Sequence, residues 1–402
     1  MRIILILERV TVRLSDRKLL FGITGSIASY KAVYIVRHLV KNEGAQIQVV
    51  MTKAATEFVR PVVFETVTGS PVYVEMFGEV GFGTVHIDLA RESDLLVICP
   101  ATANIIAKIA CGIADDLLSS VALVKGSNMV IAPAMNDQMY LNPITQDNIS
   151  KLKRLGCVVV ECEEGDLACG TTGIGRLAEE KKIILAILRK LREDERLKGK
   201  KVVVTAGPTR EYIDDIRFIS NRSTGKMGFA IAEEALIKGA EVVLISGPNS
   251  LEKIPYVNHV EVETAEEMLE ELLEHRDADY LFMVSAVEDL VPDRVEGKIK
   301  KKDGVSSINI KYAPDVVKSF REKSPGATVV GFSVEVDNAE ENTRKKLEEK
   351  GLDFIAWNSP DAFASDFNDI VLYSRSGKRW HLPKGKKNDV AQRIIDIVVQ
   401  GG

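Results

Sequence analysis

The chain is punctuated by short, nearly unbroken runs of apolar and β-branched residues. They fall at Leu19–Ile23, Ile47–Met51, Leu95–Cys99, Met129–Ala132 and Val158–Val160. The pattern resumes at Val202–Thr205, Val242–Ser246, Leu281–Ser285, Val329–Phe332 and Phe354–Ala356. A strand with one wet face alternates apolar and polar side chains. Runs without that alternation fit strands of a parallel sheet covered on both faces. Between the runs lie stretches with helical spacing. In Tyr30–Lys41 the apolar positions Tyr30, Val33, Tyr34 and Val40 share a face, while Arg37, His38 and Lys41 are polar. In Met227–Lys238, Ala230, Ile231 and Leu236 recur with similar spacing.

Strand–helix alternation predicts α/β architecture with right-handed crossovers. The length of 402 residues exceeds what one core usually serves. Residues 179–201 are rich in Glu, Lys, Arg and Leu and end in Lys198-Gly199-Lys200-Lys201, which reads as a last helix and a charged linker. A boundary near residue 195 therefore predicts two doubly wound, Rossmann-like parallel-sheet domains, 1–195 and 196–402. Net charge of −5 argues against a nucleic-acid partner, which calls for a basic excess. The longest apolar runs, such as Ile3–Leu7, are too short to cross a bilayer, so no membrane partner is expected. The five cysteines (Cys99, Cys111, Cys157, Cys162, Cys169) form no CxxC pair and no zinc spacing. An odd count in a long chain without a signal-type N-terminus predicts reduced thiols and a cytoplasmic protein.

Candidate chemistry in the first half sits where the predicted strands end. Leu19–Ile23 runs into Thr24-Gly25-Ser26-Ile27-Ala28 and then a helix. Such a turn points backbone N–H groups and the positive end of the helix dipole at an anion, unless it is a purely structural strand-to-helix turn. It is not a GxGxxG fingerprint. Thr52 follows the second strand, and Pro100-Ala101-Thr102-Ala103-Asn104 follows the third, leaving room for a flat ring. Ligands of open α/β sheets bind outside the strand carboxyl ends, so these segments can converge. His86, one of five histidines, follows a glycine-rich stretch; it is either structural or an acid/base near neutrality. Asn136, in Pro133-Ala134-Met135-Asn136, is either a helix N-cap or a hydrogen-bonding group for a carboxylate. Residues 163–176 surround Cys169 with Gly165, Gly170, Gly173 and Gly175 and end in Arg176, either a mobile flap or a solvated turn.

Taken together, Thr24–Lys31, His86, Pro100–Asn104, Pro133–Met139 and Gly165–Arg176 resemble the flavin-dependent cysteine decarboxylases, and more narrowly the phosphopantothenoylcysteine decarboxylases. The resemblance spans about residues 18–180 in the family's order. It implies FMN held by Gly25, Ser26, Thr52, Thr102 and Asn104, with His86 as the base that assists thiol oxidation. The oxidised thioaldehyde would then carry an electron sink beta to the carboxylate that leaves as carbon dioxide. The resemblance further implies that Met135 and Asn136 bind substrate, Asn136 through its carboxylate, and that Cys169 is a proton donor. Trimers or larger assemblies, up to a dodecamer, with the flavin at a subunit contact are implied as well. Residues Met1–Asp16 extend beyond the family's usual first strand.

In the second half, Val202–Thr205 ends in Ala206-Gly207-Pro208-Thr209-Arg210, and a polar loop, Arg217 to Gly228, opens a helix. Its Thr224-Gly225-Lys226-Met227 is no P-loop, because the earlier glycine is missing and Met227 replaces the hydroxyl residue. Ser285–Asp289, Gly331–Ser333 and Trp357-Asn358 follow strands, and Lys298 to Lys302 form a basic run that is either a solvated face or a triphosphate grip. This half resembles the phosphopantothenate–cysteine ligases over about residues 200–390, a domain often fused to the decarboxylase in microbes. The resemblance implies that Asn221 stabilises an acyl-nucleotide with help from Arg217. It puts Asp289, Lys298 and Phe332 at the nucleotide, with Lys298 also neutralising departing pyrophosphate. Mg²⁺ on the phosphates, CTP as co-substrate and domain dimers are implied too. Ser285 and Glu288 stand where relatives commonly carry small residues, which leaves ATP open as the nucleotide.

The two resemblances, in this order on one chain, imply a bifunctional enzyme of coenzyme A biosynthesis acting on 4′-phosphopantothenate, L-cysteine and CTP. The rival readings are a flavin-binding regulatory relative and a nicotinamide oxidoreductase; the latter lacks GxGxxG in either half.

Overall fold

The computed structural model describes residues 14–77, 84–166, 170, 172–300, 307–335, 338–358 and 365–401. They form two compact units, up to Arg192 and from Glu193 onward.

In the first unit the elements run β1 (Lys18–Ile23), α1 (Ser29–Lys41), β2 (Gln46–Met51), α2 (Lys53–Thr56), α3 (Pro61–Thr68), β3 (Val72–Tyr73), α4 (Val85–Glu92), β4 (Leu95–Ala101), α5 (Ala103–Cys111), α6 (Leu117–Lys125), β5 (Met129–Pro133), α7 (Asp137–Leu141), α8 (Pro143–Arg154), β6 (Val158–Val159), β7 (Glu163–Asp166), β8 (Thr172–Arg176) and α9 (Glu180–Arg192). Six parallel strands take the order β3-β2-β1-β4-β5-β6. Strand order reverses between β1 and β4, and a crevice opens at such a point. The unbroken apolar runs are explained by burial: every residue of β4 and of β5 is buried.

One expectation about a helix face is corrected. α1 buries Ala32, Ile35, Val36 and Leu39 rather than the face of Tyr30, Val33, Tyr34 and Val40. Tyr30 and Tyr34 are exposed. Both stripes have helical spacing, and the one carrying no aromatic or polar tip is the one the sheet takes.

The second unit repeats the plan with β9 (Lys201–Ala206), β10 (Arg210–Tyr212), β11 (Phe218–Ser220), α10 (Lys226–Ile237), β12 (Glu241–Ser246), β13 (Asn258–Glu261), α11 (Ala265–Glu274), β14 (Tyr280–Met283), β15 (Leu290–Pro292), β16 (Ile310–Tyr312), α12 (Val316–Lys323), β17 (Thr328–Val334), α13 (Ala339–Glu349), β18 (Phe354–Asn358), β19 (Phe367–Ser374), β20 (Arg379–Lys386) and α14 (Lys387–Val399). The sheet order is β13-β12-β9-β14-β17-β18-β19-β20, parallel as far as β18 and antiparallel through the last two strands. Its order reverses between β9 and β14, the counterpart of the β1–β4 crevice. The β19–β20 hairpin was not anticipated from the sequence. Phe282, Phe320 and Tyr373 are fully buried in this unit's core.

Candidate functional sites

At the reversal point of the first sheet, Thr24 joins β1 to β4. Its hydroxyl donates to the carbonyl of Pro100 at 2.7 Å and accepts from the Thr102 amide at 3.1 Å. Ser29, wholly buried, donates to the carbonyls of Thr24 and Ser26 at 2.9 and 2.6 Å. The turn is thus tied down from both sides before any ligand arrives. Beside it opens a cavity of about 660 Å³ lined by Thr24, Gly25, Thr52, Thr102 and Asn104, among others. That size suits a cofactor-sized ligand. Ser26 does not line it; its hydroxyl accepts from the Ala28 amide at 3.3 Å. Thr52 and Thr102 are helix N-caps, accepting from Ala55 and Ile105 amides at 3.3 and 3.5 Å.

Asp115 and Asp116 also line the cavity. Lys108 reaches both, at 2.6 and 2.8 Å. Burial pushes the Asp116 carboxyl up. The Lys108 ammonium and the Ser119 amide and hydroxyl more than offset this, leaving the carboxyl below its ordinary value. Glu75, Met76, Phe77 and Met139 also line the cavity. Met139 belongs to the Pro133–Met139 segment already singled out, whereas sequence reasoning passed over Glu75, Met76 and Phe77, since a two-residue strand and a loop give no periodic signal.

His86 lies in the first turn of α4 and does not line this cavity. Its Nδ1 is buried with no hydrogen-bond partner among the described residues. An orphaned buried nitrogen is costly and calls for a partner supplied from elsewhere. Asn136 is the N-cap of α7, accepting from the Gln138 amide at 3.0 Å. The described flanks of the glycine-rich segment, β7 and β8, pair antiparallel and lie against this loop. The Met135 amide donates to the Gly175 carbonyl at 3.0 Å. Gly175 has φ of +153°, and a Cβ there would sit 2.3 Å from the Met135 carbonyl oxygen, so only glycine permits the approach. The hairpin's Arg176 also bears on α1. Burial pushes the Lys31 ammonium down, and Arg176 adds to the push. Cys169 lies outside the described residues.

In the second unit a cavity of about 360 Å³ lies at the carboxyl ends of β14, β17 and β18 and the start of α10. Asn221, Asp289 and Phe332 line it together. The Asn221 amide nitrogen donates to the carbonyls of Ala286 and Val287 at 3.3 and 3.2 Å. Arg217 and Lys298 are not among its lining residues. Arg217 pairs with the buried Asp214 at 3.0 Å and donates to the Ile299 carbonyl at 3.3 Å. It therefore braces the segment that carries Lys298, which is exposed. Sequence reasoning missed Lys346, Lys350 and Lys387, all on the lining. Lys346 and Lys350 are spaced i, i+4 in a charged stretch that reads as a solvated face, and only their position after the Phe332 strand marks them. Burial and the nearby Lys226 ammonium hold the Lys387 ammonium below its ordinary value. Asn368, 2% exposed, lines the same space with a carboxamide whose Oδ1 has no partner among the described residues. Lys226 completes a set of four lysines on the lining. Lys226 pairs with Asp366, Lys346 with Glu335 and Lys350 with Asp315. With the Asn358 and Asn368 amide oxygens they suit a polyanionic ligand with hydrogen-bonding edges. Among the described residues no group of three His, Cys, Asp or Glu side chains is placed to hold a metal ion. No helix among them is long and apolar enough to cross a membrane.

Comparison with known proteins assigns both halves. Residues 7–192 match the model of the Flavoprotein family, and residues 197–401 match that of the DNA/pantothenate metabolism flavoprotein C-terminal domain. The chain is similar to the coenzyme A biosynthesis bifunctional protein CoaBC of Bacillus subtilis (strain 168), 41% identical over 96% of this chain and 97% of that one. The protein of the same name from Vibrio vulnificus (strain YJ016) is 38% identical, covering 95% of this chain and 97% of its own. That of Thermococcus kodakarensis is 38% identical, covering 96% of each.

Proposed function

Because the chain belongs to the family of the coenzyme A biosynthesis bifunctional protein CoaBC, we propose that its two units divide one task between FMN and CTP. The protein is a coenzyme A biosynthesis enzyme with a decarboxylase half and a ligase half. In our reading residues 196–402 join 4′-phosphopantothenate to L-cysteine through an acyl-cytidylate. Residues 1–195 then decarboxylate the product to 4′-phosphopantetheine. The observation that carries this division is that each unit has its own reversal-point sheet with its own cavity.

FMN fits the first cavity by size and by the convergence of Gly25, Thr52, Thr102 and Asn104 on it. Bound there, FMN would supply a two-electron couple that takes electrons from the substrate's cysteinyl thiol and gives them back after carbon dioxide has left, so the decarboxylation is redox-neutral overall. Around it, Ser26 and the backbone of the 24–28 turn steady the cofactor's phosphate end. His86 takes the thiol proton, Met135 packs on the substrate and Asn136 holds its carboxylate. Cys169, as the thiol, returns a proton. His86 lies off the cavity of its own chain, and its Nδ1, without a partner among the described residues, fits a trimeric or dodecameric assembly in which it serves a neighbouring copy's cofactor.

In the ligase half, Asn221 stabilises the acyl-cytidylate. Asp289 and Phe332 hold the nucleotide with Lys346 and Lys350. Arg217 acts by bracing the 299 segment, from which Lys298 reaches the departing pyrophosphate, with Mg²⁺ carried on the phosphates. Ligase domains pair as dimers, and the protein works in the cytoplasm.

The deciding experiment is mass spectrometry of purified protein given 4′-phosphopantothenate, L-cysteine, Mg²⁺ and CTP, with ATP in a parallel sample. The expected product is 4′-phosphopantetheine with CTP. Product with ATP alone replaces the nucleotide. Only the cysteine adduct means the flavin half does not turn over. No product from folded, flavin-loaded protein supports a regulatory flavin-binding role instead.

A further inference from the structure

Thr209 lines neither cavity, yet it is fully buried and joins the two segments that present Asn221. Its hydroxyl accepts from the Glu288 amide at 2.8 Å. Its carbonyl accepts from the Ser220 hydroxyl at 2.7 Å, and its amide donates to the Ala286 carbonyl at 3.3 Å. Ser220 is the residue before Asn221. Glu288 follows Val287, whose carbonyl, with that of Ala286, receives the Asn221 amide nitrogen. One side chain and its peptide units therefore fix both the strand that delivers the carboxamide and the loop that orients it.

Two carbonyls can accept only from the nitrogen end of a carboxamide, so the loop also decides which way Asn221 is turned. The other end of the loop is held independently. The Thr205 hydroxyl accepts from the Val284 and Ser285 amides, both at 3.1 Å, and lies 2.8 Å from the Ser285 hydroxyl. The Ala286 amide donates to the Gly207 carbonyl at 2.9 Å. Loss of the Thr209 hydroxyl thus frees the Glu288 amide next to Val287, while Ala286 and the strand end stay held by backbone bonds.

We propose that Thr209 is a positioning residue for acyl-nucleotide formation, setting the place and orientation of the Asn221 carboxamide through the Glu288 amide and the Ser220 hydroxyl. The proposal rests on the ligase reading given above. Catalytic groups tolerate little displacement, and a shift of about 1 Å costs on the order of 100-fold in rate. Thr209→Val keeps the volume and removes the acceptor.

The test measures acyl-nucleotide formation with CTP and 4′-phosphopantothenate in the full-length protein. The Val variant is expected to lose on the order of 100-fold in kcat with KM for CTP nearly unchanged. Thr209→Ser, which keeps the hydroxyl, restores most of the rate. In an Asn221→Ala background Thr209→Val adds no further loss, because the two act as one unit. Equal losses in Thr209→Val and Thr209→Ser, full activity in the Val variant, or additive losses would overturn the proposal. Should the Val variant fail to fold, Ser220→Ala cuts the other link at a half-buried site. It must show the same fall in kcat at constant KM, and unchanged kcat sinks the idea. Wild-type protein that forms no acyl-nucleotide would reject the ligase reading itself, which this comparison keeps distinct.

Discussion

At the scale of single residues, the positions that matter are those whose environment leaves an atom or a space unfilled. His86 holds a buried nitrogen without a partner among the described residues. His86→Asn keeps polarity but loses the titrating ring, so carbon dioxide release is expected to vanish while ligation continues. Separate assays of the two half-reactions check this, and loss of ligation in a folded variant would contradict separate sites. Gly25 makes the opposite case, where nothing can be added. A Cβ there would lie 2.5 Å from the Ala54 Cβ and 3.1 Å from the Ala54 carbonyl carbon. Gly25→Ala must therefore push the β1–α1 turn off the α2 backbone and distort the cavity. The purified variant is expected to carry little FMN, read from its visible absorbance, with ligation intact. Flavin content equal to wild type would remove Gly25 from the cofactor site. His86 and Gly25 were both visible as candidates in the sequence. The orphaned nitrogen and the Ala54 contact, which give them weight, were not, because each depends on a segment distant in the chain.

At the scale of elements, the ends of helices carry much of the cavity wall. Asp116 caps α6 in a reciprocal box, accepting from the Ser119 amide at 2.8 Å while the Asp116 amide donates to the Ser119 hydroxyl at 3.1 Å. Replacing such a cap costs about 1 kcal/mol. Asp116→Asn keeps capping geometry but gives up the charge that faces Lys108. The sign of the pH dependence follows from the direction of the shift. A carboxyl held below its unfolded value stabilises the fold above that value and loses the contribution as pH falls through the folded one. The stability gap between wild type and Asp116→Asn should be present at pH 7 and shrink below about pH 4. Urea unfolding at both pH values measures it, and a gap that widens in acid would show the wrong sign. The glycine-rich hairpin belongs to this scale too. Its glycines advertised a special backbone, but the approach of Gly175 to Met135 is what seats it on the Asn136 loop.

At the scale of the whole molecule, two units, each with a sheet whose order reverses once, each carry a cavity among the described residues. If each site is complete without the other activity, inactive variants must complement one another. A mixture of His86→Asn and Asn221→Asp proteins, given 4′-phosphopantothenate, L-cysteine and CTP, is expected to form 4′-phosphopantetheine after a lag as the cysteine adduct diffuses between molecules. Neither variant alone should do so. Failure of the mixture, with each remaining half-reaction confirmed, would mean that the adduct never leaves the chain that made it.

By itself the sequence determined the strands and their depth, because unbroken runs such as Leu95–Cys99 and Val202–Thr205 have no face to show to water. It also marked ground beside which a cavity opens in each unit, since Thr24 and Thr102 in the first and Phe332 in the second lie at or just past the ends of such runs. Tertiary structure alone chose between surfaces of equal local merit. It buried the Ala32–Leu39 stripe of α1 over the tyrosine stripe, and it drew Lys346, Lys350 and Lys387 from charged helices into a cavity. The physical reason is that periodicity reports which side chains share a face, whereas burial depends on what that face meets. That partner comes from another part of the chain, and here as in most folds it is fixed only when the sheet assembles.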